Sequence, residues 1–163
     1  MVRFADGPVV EVSVDIDAPA ARVWELVCDI NLPARFQDEF KRAEWVTGGP
    51  ALGAEFIGYS ERKGFQWDTS SWVVEYVPLR SFGWAVSDQN NPGATWTFRL
   101  SETSTGTRLT FHRRLGPGPS GLTASIARHP EDEEAIIAAR DREQATNMQG
   151  VIEGIKTLAE ATV

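Results

Sequence analysis

Few side chains in this sequence are able to do chemistry, and the first of them is Arg113. It falls between Phe111 and Leu115 on the alternation Leu109, Phe111, Arg113, Leu115. That places it on an apolar strand face, where an unpaired guanidinium is very costly. It requires a partner or water. Asp141 and Gln144 precede Met148 by two turns and one turn on the apolar stripe of a long helix, so a carboxylate from that helix is placed to meet Arg113 or Arg62 from the strands. Such a pair is either a structural contact at a rim or, together with Tyr76, a means of polarising carbonyls and moving protons. Arg113, Asp141 and Tyr76 are therefore the candidate catalytic residues. His112 falls on the opposite strand face from Arg113, and His129, just before Pro130, reads as a helix-start residue.

Other chemistries find little in the sequence. Cys28 lies among Leu26, Val27 and Ile30, with nothing nearby to lower its pKa, and reads as a small buried thiol. Two histidines and one cysteine far apart make no metal site, and Glu131 to Glu134 lack the alternating ligand spacing of a calcium loop. The run GPGPSG at 116–121 follows a strand, but its prolines remove N–H donors and no GK[ST] follows, so it is no phosphate loop. No metal and no cofactor is expected.

The elements that must position these residues follow from periodicity. Pro130 to Thr162 reads as one uninterrupted helix, opened by proline and by the acidic turn Glu131 to Glu134. Gln144, Met148, Val151, Ile152, Ile155, Leu158 and Ala159 recur at three- and four-residue steps on one face. About thirty helical residues span roughly 45 Å, and no second helix of that length exists to cover the stripe. The cover must be a sheet. Val9 to Ile16 alternates as a half-buried strand; Ala18 and Pro19 open a helix through Cys28, and Leu32 to Gln37 forms a short second one.

Six further strands follow from Phe40 onward: Lys41 to Val46, Ala54 to Arg62, Phe65 to Val77, Phe82 to Val86, Thr95 to Leu100, and the strand ending at Leu115. Turn residues separate them, and connections this short make neighbours antiparallel. On this alternation Trp72, Val74 and Tyr76 share one face of the longest strand. Leu122 to Arg128 gives one or two helical turns. Gly150 and Gly154 allow a close approach to the sheet or a bend in the helix.

A chain of 163 residues without linker or repeat is expected to be a single domain over residues 1–163. A formal charge of −7, with no basic run interleaved with aromatics, argues against nucleic acid or an anionic membrane as partner. No signal pattern opens the chain and no run of about 18 apolar residues occurs, so a cytoplasmic location without membrane insertion is expected.

The order strand, two helices, six strands, long helix, with IDAPAARVWELVCDI near the start, VVEYVPL in the middle and GIKTLAE at the end, resembles the START-like, Bet v 1-like superfamily (SRPBCC). Within it, the chain is similar to the bacterial polyketide cyclase/dehydrase and lipid-transport group. The resemblance implies an α+β helix-grip fold: a seven-stranded curved antiparallel sheet wrapped around the C-terminal helix, with an apolar cavity between them. Phe36 stands where relatives often carry Trp, and the segment from Gly116 to His129 is longer than a minimal member needs.

The resemblance implies a hydrophobic small-molecule ligand, such as a polyketide, lipid or aromatic metabolite, held for transport, sequestration or self-protection. A polyketide cyclase, aromatase or dehydratase is the alternative. Inward strand parity nominates Phe56, Trp72, Trp84, Trp96, Phe98 and Phe111 as ligand-binding walls; Arg62, Gln144, Met148 and Ile152 complete the site, with Phe36 and Phe40 beside them. These aromatics also suit an ordinary core. A monomer or weak homodimer is expected.

Overall fold

The computed structural model describes residues 2–161. Alternation in VVEVSVDI gives β1 (Val9–Ile16), and Pro19, extended, stands before α1 (Ala20–Val27). A short 3-10 turn at Leu32–Arg35 replaces the longer second helix expected there, with Pro33 fixing its start. The strands β2 (Phe40–Trp45), β3 (Glu55–Arg62), β4 (Phe65–Val77), β5 (Ser81–Val86), β6 (Ala94–Glu102) and β7 (Thr107–Leu115) follow. Then come α2 (Gly121–Arg128), capped by the Ser120 side chain on the Leu122 N–H, and α3 (Glu133–Glu160). The seven strands form one antiparallel sheet in the order β1-β7-β6-β5-β4-β3-β2.

This is the seven-stranded helix-grip arrangement expected from the sequence. Pro130–Asp132 forms a separate 3-10 turn before α3, and Thr162 lies outside the described residues. Because β1 and β2 are opposite edges, the chain between them crosses the whole sheet through α1. At the β2 edge, the Asn31 side chain takes both outward backbone groups of Ala43, accepting from its N–H at 2.8 Å and donating to its carbonyl at 3.0 Å.

Cross-strand register sorts side chains onto the concave face in rows. One row runs Val12, Phe111, Phe98, Phe82, Tyr76, and the next Val10, Arg113, Trp96, Trp84, Val73. α3 lays Ile137, Gln144, Met148, Val151, Ile152 and Ile155 against this face. Burying each of the fully enclosed aliphatic side chains contributes about 1.5–3 kcal/mol. The two glycines of α3 serve the 3-10 turn rather than the sheet. A Cβ on Gly154 would lie 2.3 Å from the Phe36 ring, and one on Gly150 would lie 2.5 Å from the Phe36 carbonyl oxygen.

A bulge between Val73 and Glu75 breaks the alternation of β4. Trp72 pairs with Glu55 and Ala85, while Val73 pairs with Trp84 and, three residues on, Tyr76 pairs with Phe82. Trp72 is therefore on the convex face, against expectation, and Tyr76 on the concave one.

Candidate functional site

The polar centre of the concave face is built around Arg113, whose side chain is fully buried in the tryptophan row. Its Nη2 donates to Asp141 Oδ1 at 2.8 Å and to the Pro8 carbonyl at 3.1 Å, and its Nη1 donates to Gln144 Oε1 at 2.6 Å. The contact foreseen between strand arginine and helix carboxylate exists, and Arg113 is the strand partner. Burial pulls the guanidinium below the usual arginine range, and the hydrogen bond to Asp141 works against that pull. Its Nε is buried without a partner. Its other two nitrogens are both bonded to the protein, through three hydrogen bonds that hold Arg113 in place.

Arg62, the other strand arginine, meets Glu143 at 2.6 Å instead of Asp141. Beside it, Arg140 donates from both terminal nitrogens to the two oxygens of Glu39 and lies 3.6 Å from Glu143. One turn of α3 thus ties down the segment before β2, the end of β3 and the middle of β7. Sequence reading missed Arg140 and Glu39. Glu39 lies in a loop that carries no periodicity, whereas Arg140 adjoins Asp141 and was the available signal.

The aromatic residues divide by exposure. Phe98, Phe111, Phe82, Met148 and Ile152 have at most 4% of their surface exposed and form a packed floor, with Phe98 and Phe111 stacked at 3.9 Å between ring centroids. Phe56 is also buried, edge-on to Trp45 at 5.4 Å and Trp84 at 6.0 Å. Trp45, Tyr76, Trp84 and Trp96 on the same face remain partly exposed. Trp45 was not foreseen as part of this face, although it alternates with buried Ala43. Trp67 was hidden by the bulge, which reverses the parity read backward from Tyr76. Trp24 of α1 joins from the helix side, 5.6 Å from Tyr76.

Phe36 packs over Gly154, Phe40 lies beside Gly58, and Trp72 is outside the group altogether. Open grooves of about 500 and 410 Å³ run along residues 34–38 beside Thr146 and Asn147, and along Arg42, Tyr59 and Trp67.

The remaining candidates do not reach the concave face. His112 pairs with Glu11 and Thr97 on the convex side, as parity required, and burial lowers its pKa. Burial pushes the Cys28 thiol up to about 12, which leaves it a poor nucleophile. His129, Glu131 and Asp132 bring donor atoms within 4.8 Å of one another on an exposed turn, an arrangement acidic helix starts adopt without an ion.

Residues 8–159 match the family described as polyketide cyclase / dehydrase and lipid transport. The chain belongs to that family. No curated protein matches it. Among solved structures it is similar to the Polyketide_cyc-like protein Cgl2372 from Corynebacterium glutamicum, at 27% identity and TM-score 0.61, covering 93% of this chain and 89% of that one. It is also similar in fold to BexL, a di-domain ARO/CYC from the BE-7585A biosynthetic pathway, at 20% identity and TM-score 0.71, covering 96% of this chain and 51% of BexL. The structure of Ara h 8.0201 shares the fold at 12% identity and TM-score 0.61, over 93% of this chain and 97% of that one. The family member described here thus spans about half of the di-domain protein. No helix among its described residues is long and apolar enough to cross a membrane.

Proposed function

We propose that this family member binds one hydrophobic, ring-bearing small molecule, a polyketide, lipid or aromatic metabolite, between the concave sheet face and α3. It holds that molecule for transport, sequestration or self-protection, in the cytoplasm, as a monomer or weak homodimer. The observation that carries the reading is the partial exposure of Trp45, Tyr76, Trp84 and Trp96 on the concave face, beside the buried Phe82, Phe98 and Phe111. Flat aromatic walls with retained solvent contact suit a flat apolar guest. The one ionisable side chain in the two concave-face rows besides Tyr76 is Arg113, and it is consumed by protein contacts, which favours holding a ligand over transforming it.

Thermal unfolding against a panel of apolar ring compounds tests the reading, since a ligand bound only by the folded state raises the melting temperature by mass action. Native mass spectrometry of the purified protein tests it independently. If no compound raises the transition and no guest is retained, the proposal fails.

A second reading has one specific support, the fold likeness to BexL and to StfQ, both named ARO/CYC proteins. In that reading the face folds a reactive chain by proximity while Tyr76, Arg113 and Asp141 polarise carbonyls or move protons. Tyr76→Phe decides between the two: lost cyclisation with retained binding favours the enzyme, and unchanged product formation removes Tyr76 from it.

A further inference from the structure

Gln144 has only 8% of its surface exposed and sits on the sheet-facing stripe of α3. Its Oε1 accepts from Arg113 Nη1 at 2.6 Å. A guanidinium carries donors and no acceptor, so the amide cannot be turned round: its oxygen faces Arg113 and its nitrogen faces away. Among the described residues no acceptor pairs with that nitrogen, and the one fully buried polar side-chain atom left unpaired is Arg113 Nε. Gln144 Nε2 is therefore unpartnered but not fully enclosed, in a residue that is only 8% exposed.

The flanks of α3 say where that space lies. On one flank Asp141 shares the Arg113 guanidinium with Pro8, on the β1 side. On the other, Arg140 and Glu143 reach Glu39 and Arg62, and Gly154 meets Phe36. Gln144 stands between them, bonded to Arg113, whose cross-strand neighbour is partly exposed Trp96.

We infer that the Gln144 side-chain amide is a fixed hydrogen-bond donor that reads an oxygen acceptor on the ligand, with Arg113 as the positioning residue that holds the amide in that sense. This rests on the binding function proposed above and narrows the ligand class. The surrounding charges, Arg62, Arg113 and Arg140 against Glu39, Asp141 and Glu143, pair off within the protein. An added carboxylate would find no free cation there and would be enclosed unpaired, at high cost. The ligand class is a neutral ring compound that carries an oxygen acceptor, such as a ketone or quinone.

Quenching of tryptophan fluorescence by anthracene, anthraquinone and anthracene carboxylate tests this, on the wild type and on Gln144→Leu and Gln144→Glu. The glutamate variant keeps an acceptor for Arg113 but puts an oxygen where the donor was, so it also serves if the leucine variant folds poorly. The expected result is a preference for anthraquinone over anthracene of about tenfold in the wild type, the worth of one well-made hydrogen bond. That preference should vanish in both variants, with anthracene affinity little changed. A preference that survives in the variants or is missing from the wild type overturns the inference and leaves the binding function standing, as does tightest binding of the carboxylate. Binding of none of the three overturns the inference, and the thermal and mass-spectrometric tests above then decide the binding function separately.

Discussion

Arg140 and Glu39 face each other as a fork, each guanidinium nitrogen 2.8 Å from its own carboxylate oxygen, with both side chains 17% exposed. Burial opposes the charge on Arg140, and the bond to Glu39 overcomes that, leaving its pKa raised. The pair is the firmest tie between α3 and the segment leading into β2. Glu39→Gln is expected to cost about 1–3 kcal/mol, between the values for exposed and fully enclosed pairs, lowering the melting temperature by roughly 2–10 °C. A melting curve superimposable on that of the wild type would show that the fork holds nothing.

Asp141 carries the charge that compensates Arg113. Its removal in Asp141→Ala leaves an enclosed guanidinium with only the neutral acceptors of Gln144 and Pro8. The expected loss is about 3 kcal/mol, the low end for broken buried pairs, because Asp141 is itself 28% exposed and admits water. Asp141→Asn keeps an acceptor and should cost less. Denaturant unfolding ranks the variants; equal stability of alanine variant and wild type would contradict this role.

Gly154 is required by the ring beneath it. Gly154→Ala drives a methyl to within 2.3 Å of Phe36, and displacing that ring should cost about 1–3 kcal/mol despite the better helix propensity of alanine. Phe36→Ala in the same chain should relieve the clash, so the double variant should lose less than the sum of the two. Strict additivity in unfolding free energy would refute the contact.

His112 sets a pH dependence whose sign is fixed. Burial, the leading cause, depresses its folded-state pKa; Glu11 opposes the shift, while Arg99, Arg114 and Arg113 add to it. The unfolded chain then binds the proton first, so stability is full above the ordinary value of 6.5 and falls as pH drops through it toward the depressed one. Melting temperature should decline between about pH 7.5 and about pH 5.5, and less so in His112→Asn. An identical decline in the variant would assign the effect elsewhere; Asp15 and Glu160, with lowered pKa values, act at lower pH.

Periodicity made the fold legible because strand parity and a long apolar helix stripe are properties of neighbouring residues. Phe65 and Val77 bound β4 as read, and Arg113 found Asp141 because a polar residue on each apolar face had to be answered by the other. The bulge at Val74 is different in kind. It exists only in the pairing of β4 with β5, so no alternation within β4 could reveal that Trp72 leaves the concave face and Trp67 joins it. Glu39, in a loop, offered no pattern to read. The separation of packed floor from exposed tryptophans depends on sheet curvature and rotamers, which residue order does not encode.

The amide of Asn31 clasps both outward groups of Ala43. A second strand pairing past β2 would find that rung already occupied, one of the ways an edge strand is made a poorer template. One side chain in a connecting segment thereby satisfies, from within the chain, a pair of edge groups that an incoming strand would need.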